Sequence, residues 1–173
     1  MNHIASIIAA SARLSLGYAE RLAKDVPSEN FGRLAQHDGK VIEANHPSFI
    51  CGHLCLYSPR IVAELGGDAS AITPPSHYAD RFSKDHQCLD DPSGNIYPAK
   101  DELLETLASG YHLAIETIEQ QSDETFARPN ANEAMRSRFP TVGAMHAFYT
   151  GGHFMIHMGQ WSTWRRVMGF GPA

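Results

Sequence analysis

Gly152-His153-Phe154-Met155-Ile156-His157-Met158-Gly159-Gln160 places two histidines four residues apart inside an apolar-rich run near the C-terminus. On an α-helix that spacing stacks both side chains on one face, with Cβ atoms about 5–6 Å apart. Two neutral imidazoles so placed can share one divalent ion. The helical reading extends in both directions. Pro140-Thr141 offers an N-cap, and the helix is expected from Val142 to Met168, with Gly169 as its stop and Arg165 and Arg166 at its negative end. Advancing about 100° per residue puts Val142, His146, Tyr149, His153, His157, Gln160 and Trp164 on one stripe.

A core-facing stripe is ordinarily aliphatic, whereas this one holds imidazoles, an amide and aromatics with polar atoms. Burying such groups without partners costs about 1–3 kcal/mol each, so either a metal ion or a hydrogen-bonded network is expected there. Gly151 and Gly152 sit in the same helix. Each costs up to ~1 kcal/mol in a helix interior, which implies close approach of another backbone or a ligand.

Three further helical segments precede this one. Ile4, Ile7, Ile8, Ser11, Leu14, Tyr18 and Leu22 follow the helical period from Asn2 to Lys24. A connector rich in breakers runs from Asp25 to Val41. The second helix is expected to begin at Pro47, whose missing N–H is harmless in a first turn. It carries Phe49, Ile50, His53, Leu54, Tyr57, Ile61 and Leu65, and stops at Gly66-Gly67. Pro59 should kink it or divide it in two. Residues 68–97 read as a long ordered loop of the kind that is often functional. Periodicity resumes from Pro98 to Gln121 through Leu103, Leu107, Tyr111, Ile115 and Ile118. No strand alternation and no repeat is evident, so residues 1–173 are read as a single all-α domain, a four-helix bundle.

The chain-wide balance narrows the function classes. Of 173 residues, 43% are apolar and 19% charged, enough to bury a core without staples. A net charge of −5 gives no basic face for nucleic acid or for an anionic membrane. Cys51, Cys55 and Cys88 are odd in number and do not form a disulfide pattern, which favours a reducing cytoplasm. Only His3 precedes the apolar run Ile4 to Ala12, so a signal peptide is not indicated.

His53, in Ile50-Cys51-Gly52-His53-Leu54, is the partner expected for the His153/His157 pair if the two helices are neighbours. Cys51 and Cys55 lie about 160° around the helix from His53, and read as small packing residues rather than zinc ligands. His46 belongs to the helix entry. His3, His37 and His112 follow no pattern, while His77 and His86 lie in the long loop and could approach the site.

Two segments carry a family resemblance. Asn45-His46-Pro47-Ser48-Phe49-Ile50-Cys51-Gly52-His53-Leu54 resembles the first metal-ligand segment of the DinB/YfiT-like metalloenzymes, where Gly-His-Leu opens the second helix. His153 to Gln160, followed by Arg165-Arg166-Val167-Met168-Gly169, resembles that family's last helix: two histidines four apart, Gly-Gln, a basic pair and Leu-Gly. The likeness extends to Tyr97-Pro98-Ala99-Lys100-Asp101-Glu102-Leu103-Leu104. It implies a four-helix bundle, a homodimer, and one divalent ion held by His53, His153 and His157. Members of the family transfer or isomerise substrates with small thiols such as bacillithiol and mycothiol. The chain departs from the pattern at Met158 and in its long 68–97 segment.

Three protein ligands leave a coordination position open, as catalytic sites do. The expected function is metal-dependent chemistry on a small molecule, either thiol-dependent transfer or hydrolysis. The alternative is a non-catalytic metal- or ligand-binding bundle with a sensor or stress role. Zn or Ni leads the candidate ions, with Fe or Mn as further possibilities. Tyr57, one turn after His53, and Tyr149, one turn before His153, are candidate hydrogen-bond donors to a reacting oxygen. Gln160, one turn beyond His157, is the candidate to orient that imidazole.

Overall fold

Helix α1, His3–Ala23, turns a face of small residues inward. Ala5, Ala9, Ala12 and Ala19 are buried there beside Ile8, Leu16 and Leu22, and small side chains let α1 approach its neighbours closely. In the computed structural model, which describes residues 2–173, the remaining elements follow in order. These are α2 (Ser28–Phe31), β1 (Gln36–His37), β2 (Lys40–Val41), α3 (Pro47–Cys55), α4 (Ser58–Glu64), α5 (His77–Phe82), α6 (Lys100–Glu119), α7 (Asp123–Ala127), α8 (Val142–Ala147) and α9 (His153–Val167). A π-helical segment, Phe148–Gly152, joins α8 to α9. The protein is predominantly helical. Helix α6 packs against α1, α3 and α4, while α9 packs against α1 and α3.

Several helix ends fall where the sequence marks them. Thr141 accepts from Ala144 N at 3.1 Å as the N-cap of α8. Gly66 and Gly169 close helices with φ of 84° and 83°, a left-handed conformation that favours glycine. The expected second helix is divided into α3 and α4. Pro59 has no N–H and its ring crowds the carbonyl four residues earlier, so the chain turns at Leu56 and Tyr57 before continuing. Tyr57, one turn beyond His53 and in helical conformation, stays beside it across the break.

One expectation is corrected. Gln36–His37 pairs antiparallel with Lys40–Val41 across Asp38-Gly39, so the chain does contain a small sheet. Both turn residues have positive φ, 50° and 74°, the conformation that an Asp-Gly hairpin requires. Strands of two residues are too short to show alternation.

The 68–97 segment is ordered by specific ties. It contains a 3-10 turn, Ser70–Ile72, and α5, which lies on α3. Arg33 meets Asp90 through two nitrogens at 2.9 and 3.2 Å, and Leu34 N donates to the same carboxylate at 2.7 Å. Asp91 accepts from the backbone of Asn95, Ile96 and Tyr97. His46 is the N-cap of α3: its Nδ1 accepts from Phe49 N at 3.3 Å, and its Nε2 donates to Leu89 O at 2.9 Å. Both ring nitrogens are therefore used in the neutral state, and burial pushes His46 down to about 4.

The C-terminal helix is stapled to the first. Arg165 is 5% exposed and donates to Leu22 O and Lys24 O at the end of α1, and to Phe170 O and Gly171 O beyond α9. A buried guanidinium is tolerable only when its donors are satisfied in this way. Among the described residues, no helix is long and apolar enough to cross a membrane.

Candidate metal centre

Three side chains from two helices converge. His53 comes from α3, and His153 and His157 come from the first turns of α9. The Nε2 atoms of His53 and His153 are 3.2 Å apart, and those of His157 and His153 are 3.1 Å apart. The ligand atoms of all three lie within 4.8 Å of one another. His53 and His157 are buried, at 5% and 9% exposure, and His153 is half-buried.

Each outer imidazole is aimed by a hydrogen bond at its other nitrogen. His53 Nδ1 donates to Phe82 O, the last residue of α5, at 2.7 Å. A carbonyl only accepts, so the proton is on Nδ1 and the Nε2 lone pair points inward. His157 Nδ1 donates to Gln160 Oε1 at 3.0 Å. That oxygen also accepts from Asn45 Nδ2 at 3.4 Å, which holds the amide in the accepting orientation.

The proton count then decides what the site needs. Two inward lone pairs, from His53 and His157, face His153 Nε2, which carries at most one proton. At least one of the two contacts therefore sets lone pair against lone pair. Extra protons do not resolve it: burial, and then the charges of His157 and His53, push His153 down to about 3. Burial and the His53 charge push His157 down to about 4, and burial lowers His53 as well. A divalent ion at the point of convergence would accept all three Nε2 lone pairs, leaving, within the cluster, only His153 Nδ1 buried without a partner. Metal–nitrogen bonds of about 2.0–2.1 Å at tetrahedral angles put the nitrogens about 3.3 Å apart, close to the spacing found. The donor set fits a metal.

Gly52 explains the Gly-His pair. A Cβ at Gly52 would overlap the Phe82 ring. Without one, Phe82 sits directly on α3, fully buried, and its carbonyl reaches the next residue, His53. The 68–97 segment thus supplies part of the site through its backbone. Sequence reasoning missed Phe82 because every residue has a carbonyl, and no side-chain pattern reports which one is used.

The π-helical segment alters the expected stripe. Wider turns place Phe148, five residues back, beside His153 at a ring separation of 5.6 Å. Tyr149 instead pairs with Tyr57 at 5.4 Å and lies under the Arg60 guanidinium at 5.2 Å. It is therefore near the site but not one helical turn before His153. His146 is also off the cluster. It is buried, donates from Nδ1 to Val142 O at 2.9 Å, and lies 3.7 Å from Glu64. The close neighbour expected at Gly151 is Ser11 of α1, whose Oγ would stand 2.7 Å from an added Cβ.

Tyr57 is the aromatic closest to the cluster, 4.4 Å from the His153 ring and 5.2 Å from the His53 ring. Burial raises its hydroxyl above the ordinary value, against the opposing charge of Arg60, so it stays protonated at neutral pH. His86 is bonded to Ser83 Oγ at 2.7 Å and takes no part in the cluster, nor does His77. Cys51 and Cys55 are buried packing residues, and burial pushes the Cys55 thiol up to about 12.

A pocket of about 410 Å³ opens beside the cluster. His53, Tyr57 and Arg60 form one wall, and Lys84, Met135 and Phe148 line other parts. Compared with protein-family models, curated proteins and solved structures, the chain matches none.

Proposed function

We propose that this chain is a divalent-metal-dependent enzyme acting on a small molecule, in a four-helix bundle of the DinB/YfiT-like kind. The four bundle members are α1, α3 with α4, α6, and the continuous run from α8 to α9. The observation that carries the reading is the convergence of three Nε2 atoms, two of them presenting lone pairs to the third. His53, His153 and His157 would hold the ion, with Zn or Ni first among candidates and Fe or Mn next. The cytoplasmic setting expected from the cysteine usage and the homodimer implied by the family resemblance belong to the same proposal.

When bound, such an ion supplies Lewis acidity and favours the deprotonated form of a water or thiol. The chain's own groups supply the rest. Phe82 O and Gln160 hold two imidazoles in their ligating tautomer. Tyr57, protonated and against the cluster, offers a hydrogen bond to a substrate oxygen. Phe148, Met135 and Met145 give the pocket an apolar part of its lining. Thiol-dependent transfer or hydrolysis are the reactions this set suits.

Two observations favour a non-catalytic metal or ligand sensor as the second reading. Asp85 is the one carboxylate among the pocket-lining residues, and the buried Cys51 and Cys55 thiols are held protonated. Assaying the metal-loaded protein with thiol and electrophile pairs, and with esters and amides, separates the two. Turnover that vanishes in His157→Ala supports the enzyme. Absence of turnover across these substrates supports the sensor.

A further inference from the structure

The pocket beside the cluster contains a pre-set cation that the metal reading does not use. Arg60 projects from α4 into the same cavity as His53 and Tyr57. Its Nε donates to Glu64 Oε1 at 2.7 Å, and its guanidinium carbon lies 5.2 Å over the Tyr149 ring. The other oxygen of Glu64 is 3.7 Å from His146 Nε2, so the carboxylate that steadies Arg60 is itself backed by the buried start of the last helical run. Long side chains lose much rotamer freedom when they bind. Here the side chain, 44% exposed, is already steered by two contacts.

What remains open is the outer edge of the fork. Among the described residues, neither Nη atom of Arg60 donates to any group. A guanidinium fixed at Nε and stacked on one face presents those two nitrogens as a planar pair, the arrangement that binds carboxylates bidentately. Of the lining residues, Arg60 and Lys84 are cationic and Asp85 is anionic, and Glu64 engages Arg60 only at Nε. The Tyr149 ring, 5.2 Å below Arg60, packs on Tyr57, which in turn packs on His153, and Phe148 and Met135 line the same pocket.

We propose that the pocket takes a small carboxylate with an aromatic or otherwise apolar body. The carboxylate is held by the Arg60 fork, and the body lies against Tyr57 with its other end toward His53. Arg60 is then a specificity-determining residue and Glu64 its positioning residue. The inference rests on the reading of the cluster as a metal centre for what happens at the far end of the substrate. The carboxylate subsite itself is formed by residues that touch no ligand histidine nitrogen.

The test is a ligand-observed NMR titration of the metal-free protein with 3-phenylpropionate, 3-phenylpropanamide and 3-phenylpropylamine. Leaving out the metal prevents a carboxylate from binding the ion instead, and keeps this test separate from failure of the metal reading. The acid is expected to saturate with a Kd about ten-fold or more below that of the amide, the preference a charge-assisted bidentate contact gives. Arg60→Gln is expected to bring acid and amide within two-fold of each other. Arg60→Lys, which keeps the charge but not the fork, should retain an intermediate preference and covers the case in which the Gln variant folds poorly. Equal affinity of acid and amide for the natural chain would overturn the proposal. So would tighter binding of the amine, or an acid preference that survives in Arg60→Gln.

Discussion

Gly52→Ala is the substitution that most sharply tests how the long segment builds the site. An added methyl overlaps three atoms of the Phe82 ring at once. The ring has nowhere to go: Tyr78 lies 5.0 Å from it between centroids, Tyr97 5.7 Å and Phe49 6.1 Å. The strain must be taken up by moving α5 off α3, which draws the Phe82 carbonyl away from His53 Nδ1. Overpacking of this kind costs about 1–3 kcal/mol, and the closed environment argues for the upper end. At about 2–4 °C per kcal/mol for a chain of this size, Tm should fall by about 6–12 °C. Loss of a ligand-orienting hydrogen bond typically weakens metal affinity about 10- to 100-fold. Thermal denaturation of the metal-free protein reads the first effect, and competitive titration against a chromophoric chelator reads the second. Adding Phe82→Leu, which shrinks the obstruction, should recover part of both. Gly52→Ala with unchanged Tm and unchanged affinity would refute the argument that Phe82 on a bare glycine positions His53.

Gln160→Ala should weaken metal binding about ten-fold with little change in the stability of the metal-free protein, because residue 160 lies at the exposed side of α9; the same chelator titration reads it. His46 gives a pH signature. Its folded value is near 4 while an unfolded imidazole titrates near 6.5, so the unfolded chain binds the proton first and native stability falls as pH drops from 6.5 toward 4. Through this residue alone the loss approaches about 3 kcal/mol. The stability advantage of the natural chain over His46→Gln should therefore narrow by that amount between pH 7 and pH 4 in denaturant titrations. Adding metal to about 1,000 times its Kd should stabilise the fold by about 4 kcal/mol, seen as a rise in Tm that chelation reverses and that His153→Ala abolishes.

The parts of the fold that were readable in the sequence are those where a side chain announces itself. Pro59 marked the division between α3 and α4, Pro47 the start of α3, and Gly66 and Gly169 the helix ends. The three histidines were legible because their spacing and apolar setting are visible in one dimension. The π-helical segment was not, since Phe148–Gly152 contains nothing that distinguishes a five-residue turn from a four-residue one. It is the reason Phe148 took the place expected of Tyr149, and His146 left the stripe. Helix α5 is too short to show a period. The Phe82 carbonyl and the free edge of Arg60 arise only when distant segments meet. Gln160 was readable because a residue three or four positions along a helix meets its partner without any tertiary information.

The central claim is that His53, His153 and His157 together bind one divalent ion. Elemental analysis of the purified protein, beside His53→Ala, His153→Ala and His157→Ala, tests it most directly. One ion per chain is expected in the natural protein, with loss of stoichiometric metal in each variant. Stoichiometric metal retained in all three variants, or a natural protein that takes up none when metal is supplied, would contradict it.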